Sequence, residues 1–212
     1  MSSFPSDIYT EPDLDPDTLA NLGPLRPMAG TWESTSGDDT HPVVEGTEQN
    51  DFVEHYDLQP IDPQTNGPQV FYGLRYHTHI VKPGEVETFH DQVGYWLWEP
   101  ANSTVILTLS IPRAQVVMAS GPADADATTF EVTARLGEPT YGICSNPFLN
   151  DAFRTVEFRM SVSTNADGTW SYEEDTVIDV RGRPEPFHHT DRNTLVRVAP
   201  PTPNPMAAPP AH

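Results

Sequence analysis

The amino-acid sequence predicts an all-β protein: about ten short strands closed into one antiparallel up-and-down barrel, with one short N-terminal helix and one short inserted helical turn. Three observations carry that expectation. Segments of period-two alternation recur at short intervals from Thr31 to Val198, separated by Gly, Pro, Asn and Asp. Helical patterning is confined to two brief stretches. Many of the strands also put polar or aromatic side chains on the face that would turn inward, which suits a barrel of about eight to ten strands enclosing one ligand.

Residues 1–14 read as a flexible acidic arm. Asp15-Pro16-Asp17 before TLANL supplies an N-cap and a proline for the first helical position, and Gly23-Pro24 stops that helix. LRPMAGTWESTSG leads into a first strand near Thr31, and His41 to Gly46 reads as a loop. From Asp51, Phe52, Glu54, Tyr56 and Leu58 alternate with Val53, His55 and Asp57, a second strand. Asn66-Gly67 is a turn signal and delivers the chain to a long hairpin from Phe71 to Trp98, reversed at Lys82-Pro83-Gly84-Glu85.

After EPANS, TVILTLSIP is nearly continuously apolar, as expected of a strand covered on much of both faces. RAQVVMAS, TTFEVTARL and TYGIC continue the series. SNPFLNDAFR breaks it and reads as a helical turn begun at Asn146-Pro147, apolar enough to serve as a lid. A second hairpin turns at Asp167-Gly168, and the last strand spans about Phe187 to Val198. Residues 199–212 are a proline-rich, polyproline-like tail expected to be disordered, so residues 15–198 hold a single ligand-binding barrel domain.

Charge narrows the partners. The formal net charge is -20, from 31 acidic against 11 basic side chains, and Lys82 is the only lysine. Such a surface repels phosphate backbones and anionic headgroups, so neither nucleic acid nor membrane is an expected partner. Cys144 is the only cysteine, and the opening residues carry no basic and apolar leader pattern, so a cytoplasmic protein is expected. The expected partner is instead a hydrophobic small molecule held inside the barrel.

The central hairpin concentrates the chemistry. Phe71, Arg75, His77 and His79 share one face and Tyr72, Leu74, Tyr76 and Ile80 the other; on the return strand Phe89, Asp91, Val93 and Tyr95 oppose His90, Gln92, Gly94 and Trp96. An Arg/His stripe and an aromatic stripe are a plausible cavity lining. His77 and His79, with His90 on the neighbouring strand, have a spacing that permits zinc or copper chelation. Cys144 reads as a buried structural cysteine. The chain has no phosphate-binding glycine loop, His-Glu-x-x-His helix or Gly-x-Ser-x-Gly elbow.

Three segments resemble the nitrobindin family, the heme-binding relatives of the lipocalin-like and fatty-acid-binding-protein-like barrels. PMAGTWES is similar to the family's Gly-x-Trp-x-Gly-x-Gly opening, with Gly30 and Trp32 matching and Ser34 and Ser36 in place of the later glycines. In the hairpin, Leu74 and Tyr76 are followed by His90, Gln92, Gly94 and Tyr95, with Gln92 where the family has glutamate. FHHTDRNTLVRV is similar to the closing strand that bears the family's iron-binding histidine.

Laid on that pattern without a gap, the ligand position falls on Thr190. His188 shares a face with Thr190, while His189 points the other way unless a bulge shifts the phase. The resemblance implies heme b as cofactor, with iron held through His189 or His188. It also implies a slot built from Trp32, Tyr76, Tyr95, Trp96 and Phe148, with Arg75 or Arg154 near the propionates and His77, His79 and His90 completing the lining. Ferric heme so held implies nitric oxide handling or peroxynitrite isomerisation. The rival expectation is a carrier of a fatty acid or another hydrophobic small molecule, with Arg75 pairing a carboxylate. A third is an interaction module using the proline-rich tail.

Overall fold

The computed structural model describes residues 5–207. The chain forms β1 (Gly30–Val43), β2 (Gly46–Pro60), β3 (Gln64–Asn66), β4 (Gln69–Val81), β5 (Thr88–Glu99), β6 (Thr104–Ile111), β7 (Gln115–Pro122), β8 (Thr129–Arg135), β9 (Ile143–Ser145), β10 (Phe153–Thr164), β11 (Trp170–Val180) and β12 (Phe187–Ala199). Ten of these run as an antiparallel meander, each pairing with its predecessor, and β12 closes the barrel against β1. β3 and β9 are short additions to β4 and β7. Among the described residues no helix is long and apolar enough to cross a membrane.

One end is plugged. Helix α1 (Thr18–Asn21) is capped by Asp17, whose side chain accepts from Ala20 N at 3.2 Å, so proline precedes the cap here. The 3₁₀ turn Gly23–Met28 then buries Leu22, Leu25 and Met28 completely across the barrel end. Trp32 donates its indole N–H to Met28 O at 2.7 Å, and the Arg197 guanidinium lies 4.6 Å from its ring centroid. Above this plug Trp32, Trp96, Trp170, Leu58, Leu74, Leu107 and Leu195 form a floor without solvent exposure. Each buried apolar side chain of that size contributes about 1.5–3 kcal/mol.

The stretch of proline-rich tail within the described residues is tied to this end. Asn204 is 1% exposed; its Nδ2 donates to Pro16 O and Asp62 Oδ1, and its Oδ1 accepts from Thr18 N. The rest of the tail, residues 208–212, and residues 1–4 of the arm lie outside the described residues.

The other end is open, and two departures from the expected pattern shape it. The segment from His41 onward, expected as a loop, extends β1, with only residues 44 and 45 turning into β2. Within β1 the register slips between Ser34 and Gly37 against β2 and between Glu33 and Asp38 against β12, the mark of a β-bulge. It sits in the segment that lacks the family's later glycines. Because one extra residue flips the alternation, Trp32 and Ser34 face inward below the bulge, and Asp39 and His41 face inward above it.

β9 and α2 (Pro147–Ala152) fill the open side where β8 ends. Asn146 caps α2, its Oδ1 accepting from Phe148 N at 2.8 Å and Leu149 N at 3.1 Å. Gln115 ties β7 to β9 and β10 by donating to Ser145 Oγ and Thr155 Oγ1. Cys144, expected to be buried, is an exposed free thiol, because on β9 it is Ile143 that turns into the core.

Candidate functional site

Above the apolar floor lies a polar layer. Glu54, 2% exposed, accepts from Thr78 Oγ1 at 2.7 Å, Tyr172 OH at 2.9 Å and Asn193 Nδ2 at 2.7 Å, and Asn193 also donates to Ser34 Oγ. Burial pushes the Glu54 carboxyl up, against the pull of those three donors. Beside this group Gln92 donates to Tyr76 OH, which in turn donates to Thr108 O. The polar layer forms the bottom of a cavity of about 520 Å³ that opens between α2 and the turns of the upper rim. That volume falls within the roughly 300–1,000 Å³ of small-molecule sites.

Two unlike walls line the cavity. Ile80, Leu109, Ile111, Val117, Phe158 and Met160 make one of them apolar, with Phe148 and Leu149 of α2 at its rim. The opposite wall is acidic. On β12 the inward positions are Leu195, Asn193, Asp191 and His189, in unbroken period-two phase against β11. His189 Nε2 lies 2.9 Å from Asp39 Oδ1 and 3.4 Å from Asp191 Oδ2, and His41 Nδ1 bonds the other oxygen of Asp39. Glu174 stands directly across from Asp191 on β11.

These neighbours set the protonation states. Burial disfavours the His189 imidazolium, but the bond to Asp39 and the charges of Asp191 and Asp39 outweigh it, so its pKa is raised. Burial likewise raises Asp39, yet its bonds from His189 and His41 prevail and hold it low. Burial, with Glu174 and Asp39 nearby, pushes Asp191 well up against the pull of His189. Burial raises Glu174 to about 7. His90 faces the cavity from β5, and burial lowers its pKa, so it carries a neutral imidazole.

The structure brings together His189, His90 and Phe148 of the residues singled out in the sequence. His188 points outward, with its Nδ1 at 2.9 Å from Asp175. Thr190, the ungapped family position, is exposed as well. The Arg/His stripe of the central hairpin requires correction: Arg75 and His77 are exposed, His77 pairs with Asp91, and His79 meets Thr88 Oγ1 on the outside. Tyr95 is 41% exposed on the same outer face. The alternation held, but the inner face is the one bearing Tyr72, Leu74, Tyr76, Thr78 and Ile80, because only that set can fill the barrel. The proposed His77/His79/His90 chelate is therefore split across the sheet. Trp32 and Trp96 lie in the floor beneath the polar layer, and the Tyr76 hydroxyl closes that layer from below; none of the three lines the cavity. Arg154 pairs with Asp179 on the outer surface.

The residues not singled out are the acids Asp39, Asp191 and Glu54 and the imidazole His41; Glu174, which the run Glu173-Glu174-Asp175 would place on a water-facing strand edge, lines the cavity instead. One signal for them exists: counting back by two from Leu195 reaches Asn193, Asp191 and His189. Val196 and Val198 offer an equally apolar anchor for the opposite phase, yet they are 57% and 51% exposed.

Meander topology, a plugged floor and an interior with imidazoles at its mouth define an antiparallel barrel with a cavity of small-ligand size. The chain belongs to the family of the THAP4-like, heme-binding beta-barrel domain, which it matches over residues 21–197. It is nitrobindin-like, as its three motif segments suggest. The crystal structure of Rv2717c from M. tuberculosis is similar in fold, with a TM-score of 0.60, 20% sequence identity, and coverage of 87% of this chain and 99% of that one. No curated protein matches the chain.

The cavity fits a heme in three respects. It has an apolar wall for a flat ring, inward imidazoles, and Arg113 among the lining residues as a cation for propionates. One feature stands against easy entry: His189 Nε2 is already engaged by two carboxylates.

Proposed function

We propose that the barrel binds heme b, with His189 as the axial ligand. The carrying observation is that His189 is the histidine of the closing strand that turns into the cavity, across from an apolar wall. His189 contributes a neutral Nε2, which must let go of Asp39 and Asp191 to act as a ligand. His41 retains Asp39 when it does so, and this keeps a buried carboxylate from being stranded. Ile80, Leu109, Phe158 and Met160 would exclude water from a bound heme, Arg113 would offer a cation to a propionate, and Phe148 and Leu149 of α2 would cover the rim.

Bound ferric heme would supply the chemistry for capture of nitric oxide or isomerisation of peroxynitrite to nitrate, and the protein supplies the slot. A fatty-acid cargo is disfavoured here. Its expected partner Arg75 faces outward, so Arg113 is the one guanidinium in the cavity lining for its carboxylate, and a single-chain acid makes no use of the inward imidazoles. Hemin titration followed by visible absorption, with wild type beside His189→Ala and His188→Ala, tests the reading. Peroxynitrite decay measured on the heme-loaded protein tests its catalytic extension.

A further inference from the structure

The acidic wall is more than one histidine and its partner. Across the closing seam, Asp39 of β1 stands directly opposite Asp191 of β12, and Asp191 stands directly opposite Glu174 of β11. Three inward carboxylates thus lie side by side in one row. Like charges in direct cross-strand register repel one another, and buried charges persist where they are paired or bind a cation. The permanently cationic side chain lining this cavity is Arg113, and the imidazole of His189 stands within the row itself, against Asp39 and Asp191.

We infer that Asp39, His189 and Asp191 form a binding site for a first-row divalent transition ion, with His41 orienting Asp39 from outside the donor set. The geometry carries this. One donor atom from each of the three residues lies within 4.8 Å of the others, and Asp39 is 3% exposed. The strands that hold them are paired here, so the donors are positioned by sheet register and not by a loop. The bulge between Ser34 and Gly37 is what turns Asp39 and His41 inward. Imidazole and carboxylate donors together, with no thiolate, suit Zn²⁺, Mn²⁺ or Fe²⁺, whereas Ca²⁺ and Mg²⁺ select all-oxygen sets. Glu174, adjacent to Asp191, serves as an outer carboxylate, and the cavity leaves the ion's remaining position open to a small ligand.

The ion and heme iron both draw on His189 Nε2, so they exclude one another, and the site belongs to protein carrying no heme. This inference stands without the heme reading. It is tested on full-length, heme-free, chelator-treated protein titrated with Zn²⁺ by calorimetry, with circular dichroism of each variant to establish folding. One ion is expected to bind per chain. Asp191→Asn and Asp39→Asn should each weaken it by about tenfold or more, while Asp126→Asn on an exposed turn leaves it unchanged. Zn²⁺ should also raise the melting temperature of the wild type and not that of folded Asp191→Asn. Absence of saturable heat, or Zn²⁺ affinity indifferent to both aspartate substitutions, overturns the site. The two readings separate in one variant, because Asp191→Asn loses the zinc site and keeps the imidazole that hemin needs.

Discussion

His189 and Asp39 meet across the seam where the first and last strands close the barrel, Nε2 to Oδ1 at 2.9 Å. Their contact couples the closure of the fold to the state of the residue that would hold a ligand. The carboxylate raises the pKa of His189, and coordination needs the neutral ring. Hemin affinity should therefore grow as pH rises through that raised pKa. Asp39→Asn removes the largest raising influence and should move the midpoint of hemin binding to lower pH. A midpoint that stays in place in hemin titrations over a pH series would show that Asp39 does not govern the ring.

Glu174 carries a stability prediction whose sign is unusual for a carboxylate. Its folded pKa of about 7 lies above the ordinary glutamate value of 4.5, so ionisation works against folding. Stability tied to this group is intact below about pH 4.5 and is lost as pH rises toward and through 7. Glu174→Gln should gain up to about 3 kcal/mol over the wild type in denaturant unfolding at pH 8 and much less at pH 4.5. An equal difference at both pH values would contradict it.

Glu54 organises the layer beneath the cavity through three donors. Glu54→Ala leaves the groups of Thr78, Tyr172 and Asn193 buried without their acceptor and should cost about 3 kcal/mol in urea unfolding. Glu54→Gln keeps one carbonyl acceptor and should cost less. Equal losses would mean that the charge, not the acceptor count, matters at this position.

Phe148 is 63% exposed although it sits on the cavity rim, its ring tilted against that of Phe153 with the centroids 6.2 Å apart. Phe148→Ala should speed ligand exchange with little change in fold stability, since so exposed a ring contributes little burial. Stopped-flow transfer of bound hemin to an acceptor protein measures this. Identical off-rates would remove α2 as a lid.

Much of the architecture is legible in the chain because burial enforces alternation. Phe52, Glu54, Tyr56 and Leu58 were on one face by spacing and are all buried, and Asn146-Pro147 begins a helical turn as its capping chemistry dictates. The candidate site is less legible, for a physical reason. Period two divides a strand into two faces without saying which one turns inward, and polar residues on both faces of β4, β5 and β12 blur the choice. Spacing alone thereby puts His77 and His79 in the interior, and it asks for a bulge between His189 and Leu195 where the pairing of β12 with β11 is unbroken. The bulge lies in β1, where Ser34 to Gly37 give no local turn signal strong enough to place it. Contacts across the closing seam join residues about 150 positions apart, as between Asp39 and His189, and no local pattern encodes them.

Hemin titration of wild type, His189→Ala and His188→Ala is the most direct measurement of the central claim. A saturable Soret band in wild type that survives in His188→Ala and is lost in His189→Ala is the predicted result, since of these two histidines His189 faces the cavity and His188 faces outward. A band that persists undiminished in His189→Ala, or none that saturates in wild type, would contradict it.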